Sequence, residues 1–236
     1  MNFLFLHGSW HGAWCWHKVV PRIESAGHCA ISIDLPGRGR WPARPAFVGL
    51  KAMVDAAESA LPPDGKTVIV AHSRNGIVAS ALAERVPDRI AQTIYLAAYM
   101  LKPGGRVLDH VPDRDSLMPG NVQVNRLGLW DWLEPKVYRD ALYADCSEDD
   151  VTLARALLVR EPVRPALTRL RLTPERYGRV PRAYIRLTED RAVSPALQDR
   201  LINETGAARV ESIRASHSAY FSKPDELVKT ILALAG

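Results

Sequence analysis

Three residue types that together carry out nucleophilic catalysis follow one another along the chain: Ser73, a carboxylate at Glu189 or Asp190, and His217. A serine hydroxyl is a weak nucleophile at neutral pH and needs a base to accept its proton. A neutral imidazole with a pKa near ~6.5 suits that task, and a carboxylate fixes its tautomer and stabilises the imidazolium. This set of residues predicts acyl transfer through a serine nucleophile.

Ser73 lies in a stretch typical of a sharp strand-to-helix turn. Residues 67–71 form an apolar, β-branched run that predicts a strand buried on both faces, and residues 76–85 form an amphipathic run. Such a turn requires small residues around the serine. Ala71 meets that requirement, whereas Asn75 stands where a glycine is usual and a glycine follows one position later. Considered alone, the serine fits a nucleophile or a helix cap equally well.

The base and the acid come from two later loops. His217 is the histidine that follows the last predicted strand, and its alternative role is that of an exposed loop residue. Asp190 and Glu189 compete as the acid because adjacent side chains point in different directions. The shorter reach of the aspartate favours Asp190. The loop after Ala98 offers no carboxylate for this purpose.

Strand-like and helix-like segments alternate along most of the chain, which predicts a parallel sheet of about six strands flanked by helices. The predicted strands are 2–6, 29–33, 67–71, 90–98, 182–187 and 209–213, and the predicted helices include 13–26, 47–61, 195–203 and 224–234. The alternation stops between 102 and 180, where no strand is convincing. We interpret this segment as a helical lid inserted into an α/β core of residues 1–101 and 181–236; an unrelated small helical domain is the alternative.

Composition narrows the classes of function. The chain has 236 residues, of which 47% are hydrophobic and 24% charged, so it can bury a large core. The net charge of +5 comes mostly from arginines, many of them between Arg160 and Arg191. Acidic residues are interspersed and no stacking-aromatic motif accompanies them, which favours a solvated face and predicts no nucleic-acid partner.

The N-terminus and the cysteines point to a soluble, cytoplasmic protein. The apolar run 1–6 lacks a basic start and is far too short for a signal peptide or a membrane span. Cys15, Cys29 and Cys146 are widely spaced and show no metal-ligand pattern, and we expect Cys29 to be buried. The sequence implies no metal or organic cofactor, and it leaves open whether the protein is a monomer or a homodimer.

The motifs resemble one branch of the α/β-hydrolases, which holds plant methylesterases, hydroxynitrile lyases and bacterial carboxylesterases of the pyrethroid-hydrolysing type. The resemblance rests on F-L-H-G-S-W-H-G-A-W-C-W-H-K (5–18), D-L-P-G-R-G (34–39), the turn at Ser73, Y-L-A-A (95–98), T-E-D (188–190) and His217. The serine, acid and histidine also occur in the order of that superfamily. The insertion at 102–180 matches only in length and character.

This resemblance implies Ser73 as nucleophile, His217 as base and Asp190 as its orienting acid. It also implies that the backbone N–H groups of Ser9 and Arg74 form the oxyanion hole. His11 and His72 correspond to supporting histidines of the family. In the loop that follows the first strand, Gly8 allows a close backbone approach to the substrate. A pocket for a hydrophobic part of an ester is predicted to be lined by Gly8, Trp10, Trp130 and Trp132, and packing of the tryptophans in the core is the alternative.

Two departures from the family favour hydrolysis. The lyases carry a threonine and a lysine where this chain has Gly8 and Ser218, so a departing cyanide would lack its cation.

Arg74 is a large cation directly after the nucleophile; its side chain pairs with a carboxylate or faces an acidic substrate group. A lyase, a lactone- or amide-cleaving enzyme and a non-enzymatic receptor remain alternatives to a carboxylic ester hydrolase.

Overall fold

A parallel sheet forms the centre of the computed structural model, which describes residues 1–38, 43–111 and 113–236. Within these ranges the strands are β1 (Asn2–Leu6), β2 (Cys29–Ile33), β3 (Thr67–His72), β4 (Ile90–Leu96), β5 (Val122–Val124), β6 (Trp130–Leu133), β7 (Glu161–Pro162), β8 (Arg182–Leu187) and β9 (Arg209–Ile213). Six of them pair in the order β2-β1-β3-β4-β8-β9, every neighbour parallel. The predicted sheet is confirmed.

Helices cover both faces of this sheet. Those described are α1 (Val20–Ser25), α2 (Leu50–Ser59), α3 (Gly76–Arg85), α4 (Tyr138–Leu142), α5 (Glu148–Leu157), α6 (Arg164–Leu167), α7 (Pro195–Thr205), α8 (Ala219–Ser222) and α9 (Pro224–Ala235). Side chains alternate along each strand, so Phe3 and Phe5 pack on the face that α1 and α9 cover, while Leu4 and Leu6 pack on the face of α2, α3 and α7. Strands buried on both faces explain the continuous apolar runs in the sequence.

Several predicted boundaries differ from the structure. The expected helix 13–26 is a 3₁₀ turn at Ala13–Trp16 followed by α1, whose first turn contains proline. The expected helix 47–61 begins only at Leu50, and Phe47, in a preceding 3₁₀ turn, is 74% exposed. Cys29 is exposed rather than buried because it starts the edge strand β2. The motif 34–39 ends at Gly39, which lies outside the described residues.

The segment 102–180 contains strands, so the expectation of a purely helical insertion is wrong. β5, β6 and β7 form a three-stranded antiparallel sheet beside the helices α4, α5 and α6. The strands have three, four and two residues, which is too short for an alternating pattern to stand out in the sequence. The limits of the insertion, 102 and 180, stay a prediction. Among the described helices, none is long and apolar enough to cross a membrane.

Candidate active site

Ser73 occupies a strained turn at the carboxyl end of the central strand β3. All six residues of β3 are buried, and Ser73 itself is 8% exposed. Its φ of 56° lies in the left-handed region, which non-glycine residues rarely adopt. His72 and Asn75 occupy the cap positions of the helical turns around it, so Ser73 does not act as a helix cap. This geometry is that of a nucleophile elbow.

The glycine of the elbow is required one position later than the usual pattern places it. A Cβ on Gly76 would lie 2.7 Å from the backbone oxygen of Tyr99 and 3.0 Å from its nitrogen. The backbone of Tyr99 is fixed there because its N–H donates to the carbonyl of Ser73 over 3.0 Å. The first turn of α3 can therefore approach the end of β4 only if residue 76 lacks a side chain.

His217 and Asp190 form a buried pair. The Nδ1 atom of His217 lies 2.6 Å from Oδ2 of Asp190, and each residue is only 2% exposed. The other carboxylate oxygen accepts hydrogen bonds from the backbone N–H groups of Ala192 (2.7 Å) and Val193 (3.0 Å). An N–H at Nδ1 that donates to the carboxylate leaves Nε2 as the acceptor that a general base needs.

Glu189, the competing acid, points away from this pair. Its carboxylate lies 2.6 Å from Nε of Arg214, and both side chains are largely exposed. The structure thus brings Asp190, and not Glu189, to His217.

The loop that carries His217 is held at two further points. His72 donates from Nε2 to the carbonyl oxygen of His217 over 3.0 Å, and the two rings lie 4.3 Å apart. Asp145, from the insertion, accepts hydrogen bonds from the backbone N–H of Ser216 (3.1 Å) and from its hydroxyl. The position of the imidazole therefore depends on β3 and on the insertion together.

Two buried histidines order the loop after β1. His11 donates from Nδ1 to the carbonyl of Ser9 (2.7 Å) and accepts at Nε2 from the hydroxyl of Tyr143 (2.6 Å). His7 donates from Nδ1 to the carbonyl of Gly8 (2.8 Å) and accepts at Nε2 from the N–H of Leu35 (3.1 Å). Burial lowers the pKa of His7 to about 3 and that of His11 to about 4. Both imidazoles are therefore neutral at pH 7, and each joins two neighbouring groups by donating one hydrogen bond and accepting another.

Gly8 lets this loop approach the serine. A Cβ at this position would lie 2.7 Å from Nδ1 of His72 and 3.0 Å from Cβ of Ser73. Ser9, Ser73, Arg74 and His217 all line one cavity, so the loop, the elbow and the histidine meet there.

That cavity, of about 330 Å³, is lined mainly by aliphatic side chains of the insertion, which include Val107, Leu108, Val111, Val122, Val163 and Leu167. Trp10 also lines it. Among the described residues, the lining does not include the other three predicted pocket residues. Gly8 lies against Ser73, Trp132 lines a second groove that Trp10 also lines, and Trp130 packs under the guanidinium of Arg160 at 5.4 Å.

Arg74 pairs with two carboxylates of the insertion, the first of the two roles that the sequence left open. Its guanidinium lies 3.0 Å from Asp131 and 3.1 Å from Glu161, and its side chain is 11% exposed. Sequence reasoning missed Asp131 and Glu161, because only the fold shows that these two residues of the insertion meet at the elbow.

The parallel sheet, the strained turn after β3 and the order of serine, acid and histidine define a protein of the α/β-hydrolase class. The model of the alpha/beta hydrolase family matches residues 3–230, and the chain belongs to that family.

Several named relatives resemble the chain over nearly their full length. The chain is 30% identical to Methylesterase 18 of Arabidopsis thaliana over 255 residues, which cover 99% of this chain and 97% of the relative. The crystal structure of the Arabidopsis methylesterase MES16 superimposes with a TM-score of 0.86 at 28% identity, covering 99% of this chain and 98% of the other. A pyrethroid hydrolase from Sphingobium faniae JZ-2, 23% identical, has the same fold, with a TM-score of 0.90 and coverage of 100% and 97%.

Proposed function

We propose that the protein is a serine-dependent carboxylic ester hydrolase that acts on small, uncharged, hydrophobic esters. The observation that carries this proposal is the meeting of Ser73, at positive φ, with the buried His217–Asp190 pair in one largely apolar cavity. The similarity of this chain to Methylesterase 18 and MES16 supports ester hydrolysis.

The proposed reaction has two acyl-transfer steps. The hydroxyl oxygen of Ser73 attacks the ester carbonyl while its proton passes to Nε2 of His217, and Asp190 stabilises the resulting imidazolium. The tetrahedral oxyanion accepts hydrogen bonds from the N–H groups of Ser9 and Arg74, each worth about 3–4 kcal/mol when well aimed. The alcohol leaves with the proton of His217. Water then gives up a proton to His217 as its oxygen attacks the acyl-enzyme, and His217 returns that proton to the oxygen of Ser73 as the carboxylic acid leaves.

The cavity favours uncharged substrates. Its aliphatic lining provides apolar contact for an acyl or alkoxy group, and its volume of about 330 Å³ suits a small ester. Arg74, a cation on its wall, is already paired with Asp131 and Glu161. A carboxylate on the substrate would therefore compete with two fixed carboxylates for the same guanidinium. We expect methyl and other short esters of hydrophobic or aromatic acids to be the best substrates.

A cyanohydrin lyase is disfavoured by the loop after His217. The hydroxyl of Ser218, which stands where such lyases carry a lysine, donates to the hydroxyl of Tyr220 over 3.0 Å. A neutral, internally bonded serine supplies no cation for a departing cyanide. Hydrolysis has no such requirement, because the alkoxide leaves with the proton of the imidazole.

Labelling with a fluorophosphonate, followed by peptide mapping, tests the nucleophile without assuming a substrate. We expect the label on Ser73, none on Ser73→Ala, and full labelling of Ser59→Ala, which alters an exposed serine at the end of α2. Hydrolysis of p-nitrophenyl and methyl esters should fall by about 10⁶ in kcat in Ser73→Ala. A label on another residue would overturn the assignment, and an acyl burst with no turnover would indicate a receptor.

A cytoplasmic location is also part of this proposal. It is supported by Cys15, Cys29 and Cys146, which are all free thiols. We further expect no nucleic-acid partner, and size-exclusion chromatography of the purified chain separates the monomer from the homodimer.

A further inference from the structure

Four charged side chains are buried together where the insertion meets the elbow. Arg38, Arg74, Asp131 and Glu161 have side chains that are 2%, 11%, 5% and 1% exposed, and we refer to them as the buried charge cluster. They come from the loop after β2, the elbow, β6 and β7. Two positive and two negative groups balance, as burial of charge requires.

The two carboxylates are forced together by strand pairing. Asp131 and Glu161 are direct partners in the antiparallel pair β6–β7. Like charges directly opposite one another destabilise a strand pair. Arg74 offsets this repulsion, because its two terminal nitrogens reach one carboxylate each, and Arg38 forms a further ion pair with Glu161.

The same two carboxylates hold Trp10. Glu161 accepts a hydrogen bond from the backbone N–H of Trp10, and Asp131 accepts one from its indole Nε1, each over 2.8 Å. The carbonyl of Trp10 in turn accepts from the N–H of Val159 over 2.9 Å. Trp10 has a φ of 62°, so three contacts to the insertion stabilise an otherwise unfavourable backbone.

We infer that Asp131 and Glu161 are positioning residues for the oxyanion hole. This inference rests on the proposed function. Trp10 directly follows Ser9, and Arg74 directly follows Ser73, so the carboxylates hold the backbone on both sides of the site where the oxyanion would form. The side chain of Arg74 acts as a bridge to the insertion and does not bind the substrate.

The variants Asp131→Asn and Glu161→Gln keep the shape of each side chain and remove its charge. We expect kcat to fall by about 10- to 100-fold, because a displacement of donors on the scale of 1 Å costs that much. KM for an uncharged ester should stay within about 2-fold, since the aliphatic lining is unchanged, the amide that replaces Asp131 on the cavity wall keeps its shape, and only the transition state carries an oxyanion. Arg160→Met, at the nearby cation that packs on Trp130, is the matched control and should leave both constants unchanged.

A charge-balanced pair of variants separates positioning from simple stability. Arg74→Met leaves one cation for two carboxylates and should lower the urea midpoint of unfolding. Adding Asp131→Asn restores the balance and should recover most of that midpoint, while kcat stays low because Trp10 and the elbow are no longer joined. Recovery of kcat together with stability would overturn the inference, as would a wild-type kcat in Asp131→Asn or Glu161→Gln.

Two further measurements distinguish the remaining outcomes. If Arg74 bound an anionic substrate, Arg74→Met would raise KM for a hemisuccinate ester and not for its uncharged analogue, which would overturn the bridging role. The rate at which a fluorophosphonate labels Ser73 should fall in the variants in proportion to kcat, because that reaction also develops an oxyanion. Unchanged labelling rates would contradict positioning. A wild-type chain that neither hydrolyses esters nor takes the label would instead refute the proposed function.

Discussion

The side-chain amide of Asn75 donates a hydrogen bond of 2.7 Å to the backbone carbonyl oxygen of His7. Asn75 belongs to the elbow and His7 to the loop after β1, and both side chains are buried. The residue that departs from the usual small-residue pattern therefore joins the two segments that carry the proposed nucleophile and one oxyanion donor. A glycine at this position could not make that connection.

Replacing Asn75 with alanine should weaken the fold and the site together. The carbonyl of His7 would be left buried without its donor, at a cost of about 1–3 kcal/mol in the free energy of unfolding. We also expect kcat to fall more than KM changes, because the loop carrying Ser9 loses its tie to the elbow. Urea unfolding and ester kinetics on the same preparation check both effects. Unchanged stability would show that the hydrogen bond contributes nothing.

Gly76→Ala should be severely destabilising. Its Cβ would lie 2.7 Å from a backbone oxygen of Tyr99, which cannot rotate away as a side chain could. Overpacking of a tight core contact typically costs about 1–3 kcal/mol, and contact with backbone atoms places this change at the upper end. Gly178→Ala is the control, because its nearest neighbour would be at 3.4 Å, an ordinary contact, on an exposed turn. Equal unfolding midpoints for the two variants would contradict this reading of the elbow.

Asp190→Asn and Glu189→Gln form a matched pair of neighbouring substitutions. The first replaces the carboxylate at 2.6 Å from His217 and should reduce kcat by about 10⁴, because the amide favours the wrong tautomer of the imidazole. The second removes only a surface ion pair with Arg214 and should leave kcat within about 2-fold. Steady-state kinetics of both variants at pH 7 show which of the two carboxylates orients His217. The reverse pattern would assign the acid to residue 189.

The elements of the fold whose sequence has a strong local hydrophobic pattern could be predicted from the sequence. β1 begins and ends where its apolar run indicated, because a strand buried on both faces leaves a continuous hydrophobic run. The edge strand β9 also has its predicted bounds, although four of its five residues are exposed. The burial of the edge strand β2 was less predictable: its apolar run does not reveal that, among the described residues, β2 pairs with β1 only and is open on its other side. Helix starts were wrong by several residues where a 3₁₀ turn precedes the α-helix.

The types of residue in the candidate site could be predicted from the sequence, but the residues that hold them in place could not. The order of serine, acid and histidine, each after a predicted strand, can be read from the amino-acid sequence alone. Asp131 and Glu161 gave no signal, because strands of four and two residues carry no periodicity and their partner Arg74 lies more than fifty positions earlier along the chain. The predicted pocket tryptophans, Trp130 and Trp132, both lie in β6, and neither lines the cavity of Ser73.

The buried histidines should make the protein sensitive to acid. Burial lowers the pKa of His7 to about 3 and that of His11 to about 4, so below pH 6.5 the unfolded chain binds protons that the folded chain does not. Stability is then lost as the pH falls from about 6.5 towards these values, by about 1.4 kcal/mol per pH unit for each histidine. In His11→Gln, the dependence of the unfolding free energy on pH between 6 and 4.5 should be shallower by about that amount. Urea titrations of both proteins across this range measure the difference, and parallel curves would show that His11 takes up its proton equally in both states.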